Sequence, residues 1–241
     1  MQFLQNLKKS RVLKNPILFL LVPVTAVAIT VTGIIWKQDF IRILPLYFSL
    51  IIMFLNSRAN RYALLLGSLN SVLYTFTYLY LGLYATAVHA FFFSFPMQLL
   101  SFVRWKKNSY KKSTEFRKLT SKQRLLLAAS FIVTFCAVYF ILDSAGSSYK
   151  FLDTLSSLIS IIVTFLTMFA FIEYTWLWIP SAVLSLILTA MTMTAHPEQI
   201  TYLIYSVYSL ICVVCSYTSV RKLYKEQEAQ KRISYQGEKL C

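Results

Sequence analysis

The chain has 241 residues, of which 57 % are hydrophobic and only 14 % charged. Soluble domains carry about 25 % charged residues, so a soluble domain is excluded and a chain that crosses a membrane several times is expected. The formal net charge is +15, but its basic residues cluster between apolar runs, which points to loops at a membrane face and not to nucleic acid.

A helix needs about 20 residues to cross about 30 Å of hydrocarbon. Eight apolar segments qualify, at approximately 17–36, 41–56, 62–80, 83–104, 124–142, 151–171, 175–194 and 199–220. The first follows Lys8, Lys9, Arg11 and Lys14 and contains a signal-peptide-like "AVA" at Ala26 to Ala28. Its apolar run continues to Trp36, so a retained helix is expected. The second is short and carries Pro45. The third and fourth are joined by "LGLY", where Gly82 permits a tight turn, and the seventh and eighth by "AHPE", where Pro197 breaks the helix.

Eight spans put both termini on one side. On that side fall 21 of the 24 Lys and Arg, leaving only Lys37, Arg42 and Lys150 opposite. The positive-inside rule then makes both termini cytoplasmic. Trp36, Trp105 and Trp176 lie near the expected helix ends, as interfacial anchors should.

A shift of 113 residues superposes Gly67 on Pro180 and Ser68 on Ser181. Each helix so matched follows a short turn and leads to a helix with a basic end, "VRWKK" or "VRKLYK". The expected architecture is an all-α membrane protein with an extra first helix and then two three-helix units joined by a linker helix. One linker restores the orientation of the second unit, which makes this a parallel repeat. The boundaries are 1–40 for the N-terminus and extra helix, 41–106 for the first repeat and 107–143 for a basic loop and linker. The second repeat follows at 144–222 and a cytoplasmic tail at 223–241.

Chemistry-bearing residues are sparse. Cys136, Cys212, Cys215 and Cys241 are spread over apolar runs and the last position. Without further ligands at metal spacing, the cysteines read as small packing residues. No cofactor, no metal and no catalytic residue is expected, and the chain does not read as an enzyme. Ionisable groups are nearly absent from the span centres, which favours passage down a gradient over ion coupling.

The polar residues that remain form stripes at helical spacing. Ser156, Ser160 and Thr164 share a face of the sixth span. Trp178, Ser181, Ser185 and Thr189 do so in the seventh, and Tyr202, Tyr205 and Ser209 in the eighth. Asn70 and Gln98 are different, because an amide left unpaired in an apolar medium costs several kcal/mol. Each either lines a wet pathway or braces helices. Tyr74 lies one turn beyond Asn70 on the same face. Under the 113-residue shift Asn70 falls on Val183, so its amide belongs to one half only. The candidate substrate-binding set is Asn70, Tyr74, Gln98, Trp178, Ser181 and Tyr205. Aromatic faces together with amides and hydroxyls suit a ligand with a heterocycle and a sugar.

The Gly67-x-x-Asn70-x-x-x-Tyr74 pattern, Pro96-Met97-Gln98 with Trp105 downstream, and Asp153 opening the sixth span carry a resemblance. Together they resemble the PnuC family of bacterial vitamin transporters, over about Asn56 to Lys225. The resemblance implies a SWEET-like bundle of three, one and three helices in the bacterial cell membrane, assembled as a homotrimer. It implies facilitated diffusion of nicotinamide riboside, trapped by a cytoplasmic nucleoside kinase. The chain departs from the family pattern at Ala182 and Cys212 and in "SYTSVRK", which lacks a Trp. The alternatives are a carrier for another vitamin or nucleoside (deoxynucleoside, thiamine or riboflavin) and a substrate-binding subunit of an energy-coupled importer.

Overall fold

The computed structural model describes residues 16–80, 87, 90–144, 150–195 and 197–238. Helices occupy each of the apolar segments. They are α1 (Pro16–Ile35), α2 (Phe40–Asn56), α3 (Tyr62–Tyr80), α4 (Phe95–Lys107), α5 (Ser121–Ser144), α6 (Lys150–Met168), α7 (Glu173–Ala195) and α8 (Ile200–Glu238). A π-helical turn, Ala90–Ser94, leads into α4. The opening of the fourth expected span, with His89, lies outside the described residues, as does His196. By length and composition, α1, α5, α7 and α8 each hold a stretch able to cross a membrane.

Local chemistry sets the element boundaries. Lys37, Ala59 and Ala170 take positive φ in the turns after α1, α2 and α6, and Lys111 does so in the turn between Tyr110 and Ser113. The α5 N-terminus is closed by a reciprocal capping box. The Thr120 hydroxyl accepts from the Gln123 N–H at 3.3 Å, and the Gln123 side chain accepts from the Thr120 N–H at 3.0 Å. Pro45 lies inside α2 and cannot donate to the carbonyl four residues earlier, that of Ile41. The buried Thr77 hydroxyl of α3 donates to that carbonyl instead, at 3.0 Å.

Six helices close a ring. In order, α2 packs on α3, α3 on α4, α4 on α6, α6 on α7, α7 on α8, and α8 returns to α2. α1 lies outside, in the seam between α2 and α8, and α5 lies outside against α6. One apolar cluster joins α1, α2 and α8 around Leu46, Leu50, Tyr208 and Val213. There the Tyr208 hydroxyl donates to the Leu50 carbonyl at 2.8 Å.

A second cluster closes the basic end of the bundle. A hairpin, β1 (Ser109–Tyr110) and β2 (Ser113–Thr114), follows α4, and Arg117 pairs with the α6–α7 turn in a short parallel bridge. Trp105 is a correction to its expected place at the interface. It is 3 % exposed, its indole N–H donates to the Thr167 carbonyl at 2.7 Å, and its ring packs on Phe116 and Tyr174. The loop after α4 folds back over it, which no pattern within α4 could reveal. By contrast Trp36 and Trp176 are exposed.

The tail expected at 223–241 is mostly a continuation of α8, which runs to Glu238. From Lys222 to Gln236 it holds neither Pro nor Gly and is rich in Lys, Glu and Gln, all good helix formers. This extension grips the hairpin. The buried Gln227 donates to the Thr114 carbonyl at 2.9 Å and accepts from the Phe116 N–H at 3.0 Å. Lys111 pairs with Glu226 at 2.5 Å.

Candidate functional site

Ser49 lies one turn beyond Pro45, on α2, and is buried. Three side chains converge on its hydroxyl. The Asn70 amide of α3 donates to it at 2.9 Å, and the Tyr74 hydroxyl lies at 3.4 Å. The Tyr205 hydroxyl of α8 interacts with Ser49 and with Ser209. α2, α3 and α8 therefore share one polar node. Asn70 is 4 % exposed, and its carbonyl oxygen has no hydrogen-bond partner among the described residues. Turning the amide over would let Ser49 donate to that oxygen and leave the nitrogen unpartnered instead. In either orientation half of the amide is unspent, at a cost of about 1–3 kcal/mol.

Gln98 belongs to a second node, on α4. Its amide donates to the Ser71 hydroxyl at 3.0 Å, and Ser71 donates to the Gly67 carbonyl at 3.1 Å. A Cβ on Gly67 would stand 1.9 Å from the Gln98 side-chain oxygen. Glycine at 67 therefore leaves the room in which the Gln98 amide is seated. Gln98 also faces a cavity of about 370 Å³ between α4 and α6, lined with Phe93, Ser94, Ser156, Ser160 and Thr164. The π-helical turn supplies Phe93 and Ser94, and such turns are frequent at functional sites.

Ser181 of α7 reaches this wall through Ser160, with 3.1 Å between the two hydroxyls. Trp178 is one turn earlier on α7. It is half-buried, packs against both apolar clusters and lies 6.2 Å from the Tyr174 ring. The structure thus groups Asn70, Tyr74 and Tyr205 around Ser49. Gln98 lines the cavity, Ser181 touches its wall through Ser160, and Trp178 packs against both apolar clusters.

Ser49 and Ser71 are absent from the sequence-derived set. Ser49 is one serine in an apolar run, and its role arises only when three helices pack together. Ser71 had a usable signal, being one turn beyond Gly67. Among the described residues no group of three or more His, Cys, Asp or Glu could hold a metal ion. Amides, hydroxyls and phenols are uncharged at neutral pH, so both nodes offer neutral hydrogen bonding with aromatic faces nearby.

No curated protein matches the sequence. A solved structure described as the crystal structure of the vitamin B3 transporter PnuC matches the fold, with a TM-score of 0.70 and 21 % identity. The match covers 87 % of this chain and 90 % of the other. Residues 39–219 match the family described as Nicotinamide mononucleotide transporter, from the start of α2 through most of the membrane part of α8. That stretch reaches into all six helices of the ring and holds both polar nodes, and the chain is a multi-pass membrane protein of this transporter family.

Proposed function

We propose that the chain carries nicotinamide riboside across the bacterial cell membrane by facilitated diffusion. A cytoplasmic kinase then traps the nucleoside by phosphorylation. The observation that carries this reading is the half-spent amide of Asn70, buried beside Ser49, Tyr74 and Tyr205. A ribose hydroxyl or a carboxamide would complete its hydrogen bonding and remove the cost of leaving it unpaired. Phenol faces favour a pyridinium cation over a neutral ring. Both nodes are uncharged, which suits the nucleoside better than its dianionic phosphate.

In this reading Asn70, Tyr74, Tyr205 and Trp178 contact the base or sugar, and Gln98 from one triplet and Ser181 from the other shape the wall. The two triplets, α2–α4 and α6–α8, act as SWEET-like parallel repeats within the boundaries 41–106 and 144–222. α5 is the linker, and both termini are cytoplasmic. Three copies assemble as a homotrimer.

A second reading rests on Ala182 and Cys212, where the chain departs from its family pattern. Cys212 is fully buried in the apolar cluster with Tyr208, on the helix that carries Tyr205. This favours a related nucleoside or vitamin. Uptake into liposomes separates the readings. Labelled nicotinamide riboside should enter to equilibrium, without a dependence on proton or sodium gradients. Accumulation driven by a gradient would overturn the passive mechanism. Selective entry of thiamine, riboflavin or a deoxynucleoside would overturn the assigned substrate.

A further inference from the structure

Outside the six-helix ring, α5 leaves a crevice of about 940 Å³ bounded by α5, α6, α7 and α8. Its walls are apolar: Leu127 and Phe131 on α5, Leu155, Ile159 and Ile162 on α6, and Leu177 on α7. Along α6 the lining runs from Leu155 to Ile162, about 10 Å at 1.5 Å per residue. No residue of α5 from Ser121 to Phe140 is buried, and Leu125, Leu126 and Val133 are more than two-thirds exposed.

One end of the crevice is basic. Lys118, Arg124, Arg221 and Lys225 line it, together with Glu173 and Glu228. The carboxylates are already engaged. Glu173 accepts from Arg124 at 2.8 Å and from the Leu119 N–H at 3.1 Å. Glu228 accepts from the Tyr224 hydroxyl at 2.6 Å. Arg221 stacks over the Tyr217 ring at 4.9 Å. Lys118 and Lys225 form no ion pair among the described residues and share the same mouth.

We propose that this crevice binds an anionic phospholipid. An acyl chain lies along α5 and α6, and the phosphate sits at the mouth between Lys118, Lys225 and Arg221. An apolar slot that takes part of an acyl chain, with surplus positive charge at one end, matches such a lipid in both parts. A free phosphate would leave the slot without an apolar occupant. A zwitterionic lipid would place a second cation beside the lysines. A second copy of the chain would have to bring acidic groups, and the chain has 9 acidic against 24 basic residues.

Native mass spectrometry of the full chain, released from detergent with added lipid, tests this. Phosphatidylglycerol should be retained at least about tenfold better than phosphatidylcholine of the same chains, and glycerol phosphate should not compete. Lys118→Gln with Lys225→Gln should remove that preference. Ile159→Trp, which fills the slot, should remove binding of both lipids. Equal retention of the two lipids by the unaltered chain overturns the proposal and does not depend on any variant folding. So does full competition by glycerol phosphate. Loss of oligomers in Ile159→Trp with lipid retention intact would assign the crevice to a second copy.

Discussion

Two buried amides differ in how much of their hydrogen bonding is used. Gln227 and Asn70 are equally hidden, each 4 % exposed. Gln227 spends both ends of its amide on the hairpin backbone. Asn70 spends one end on Ser49, and the other has no partner among the described residues. A fully paired amide adds stability and can do little else. A half-paired one stores an unmet need, which the proposed substrate would satisfy. Burial alone therefore does not separate a brace from a ligand contact, whereas a census of partners does.

The contrast can be broken by substitution. Gln227→Leu strands the Thr114 carbonyl and the Phe116 N–H and should lower stability by roughly 3 kcal/mol, with substrate affinity unchanged. Thermal unfolding and binding measured on the same sample check this, and a large affinity loss would remove the distinction. Asn70→Leu should do the opposite. It should weaken substrate binding roughly a hundredfold, the loss of about two hydrogen bonds, while unfolding moves little. Wild-type affinity in that variant would make Asn70 a brace like Gln227.

Gly67→Ala should push Gln98 off its seat and cost about 1–2 kcal/mol in stability, because the new Cβ cannot fit against the side-chain oxygen. A Gly67→Ala, Gln98→Ala double variant should recover much of that loss. Ser181→Ala removes one hydroxyl contact with Ser160 and should cost below about 1 kcal/mol, with transport changed only a few-fold.

The smallest effect concerns the exposed Lys111. Its hydrogen bond to Glu226 raises its pKa above the ordinary lysine value. The bridge therefore contributes below the lysine's unfolded pKa of about 10.4 and is lost as pH rises through the higher folded value. Lys111→Gln should unfold slightly more easily at neutral pH and match the unaltered chain in strongly alkaline solution.

Much of the bundle was legible because lipid imposes a simple rule. An apolar segment of about 20 residues must become a helix there, since no water can satisfy its backbone. The Gly67 and Gln98 pairing was legible in part, as a small residue and an amide on neighbouring spans. Its geometry was not, because the sequence does not say which faces meet. Ser49 was hidden for the same reason, as were the partners of Trp105, which come from a loop and the next repeat's turn. Gln227 was missed because a polar run near a C-terminus reads as solvated when no hairpin is known to cover it. Asn70 was the easier residue to pick out, since an amide far inside an apolar run needs an explanation from its own helix alone.

One mechanical consequence follows from the length of α8. It is a single rod of 39 residues, with no Pro or Gly from Ile200 to Gln236. Tyr205, at the Ser49 node, and Gln227, on the hairpin, are about 33 Å apart on it at 1.5 Å per residue. A rod without a hinge transmits tilt. Any swing that frees the hairpin end must displace Tyr205 relative to Ser49 in the same motion. Release at the basic end and loosening of the polar node are then two readings of one angle, and a lever of that length turns a few degrees into movements of an ångström or more.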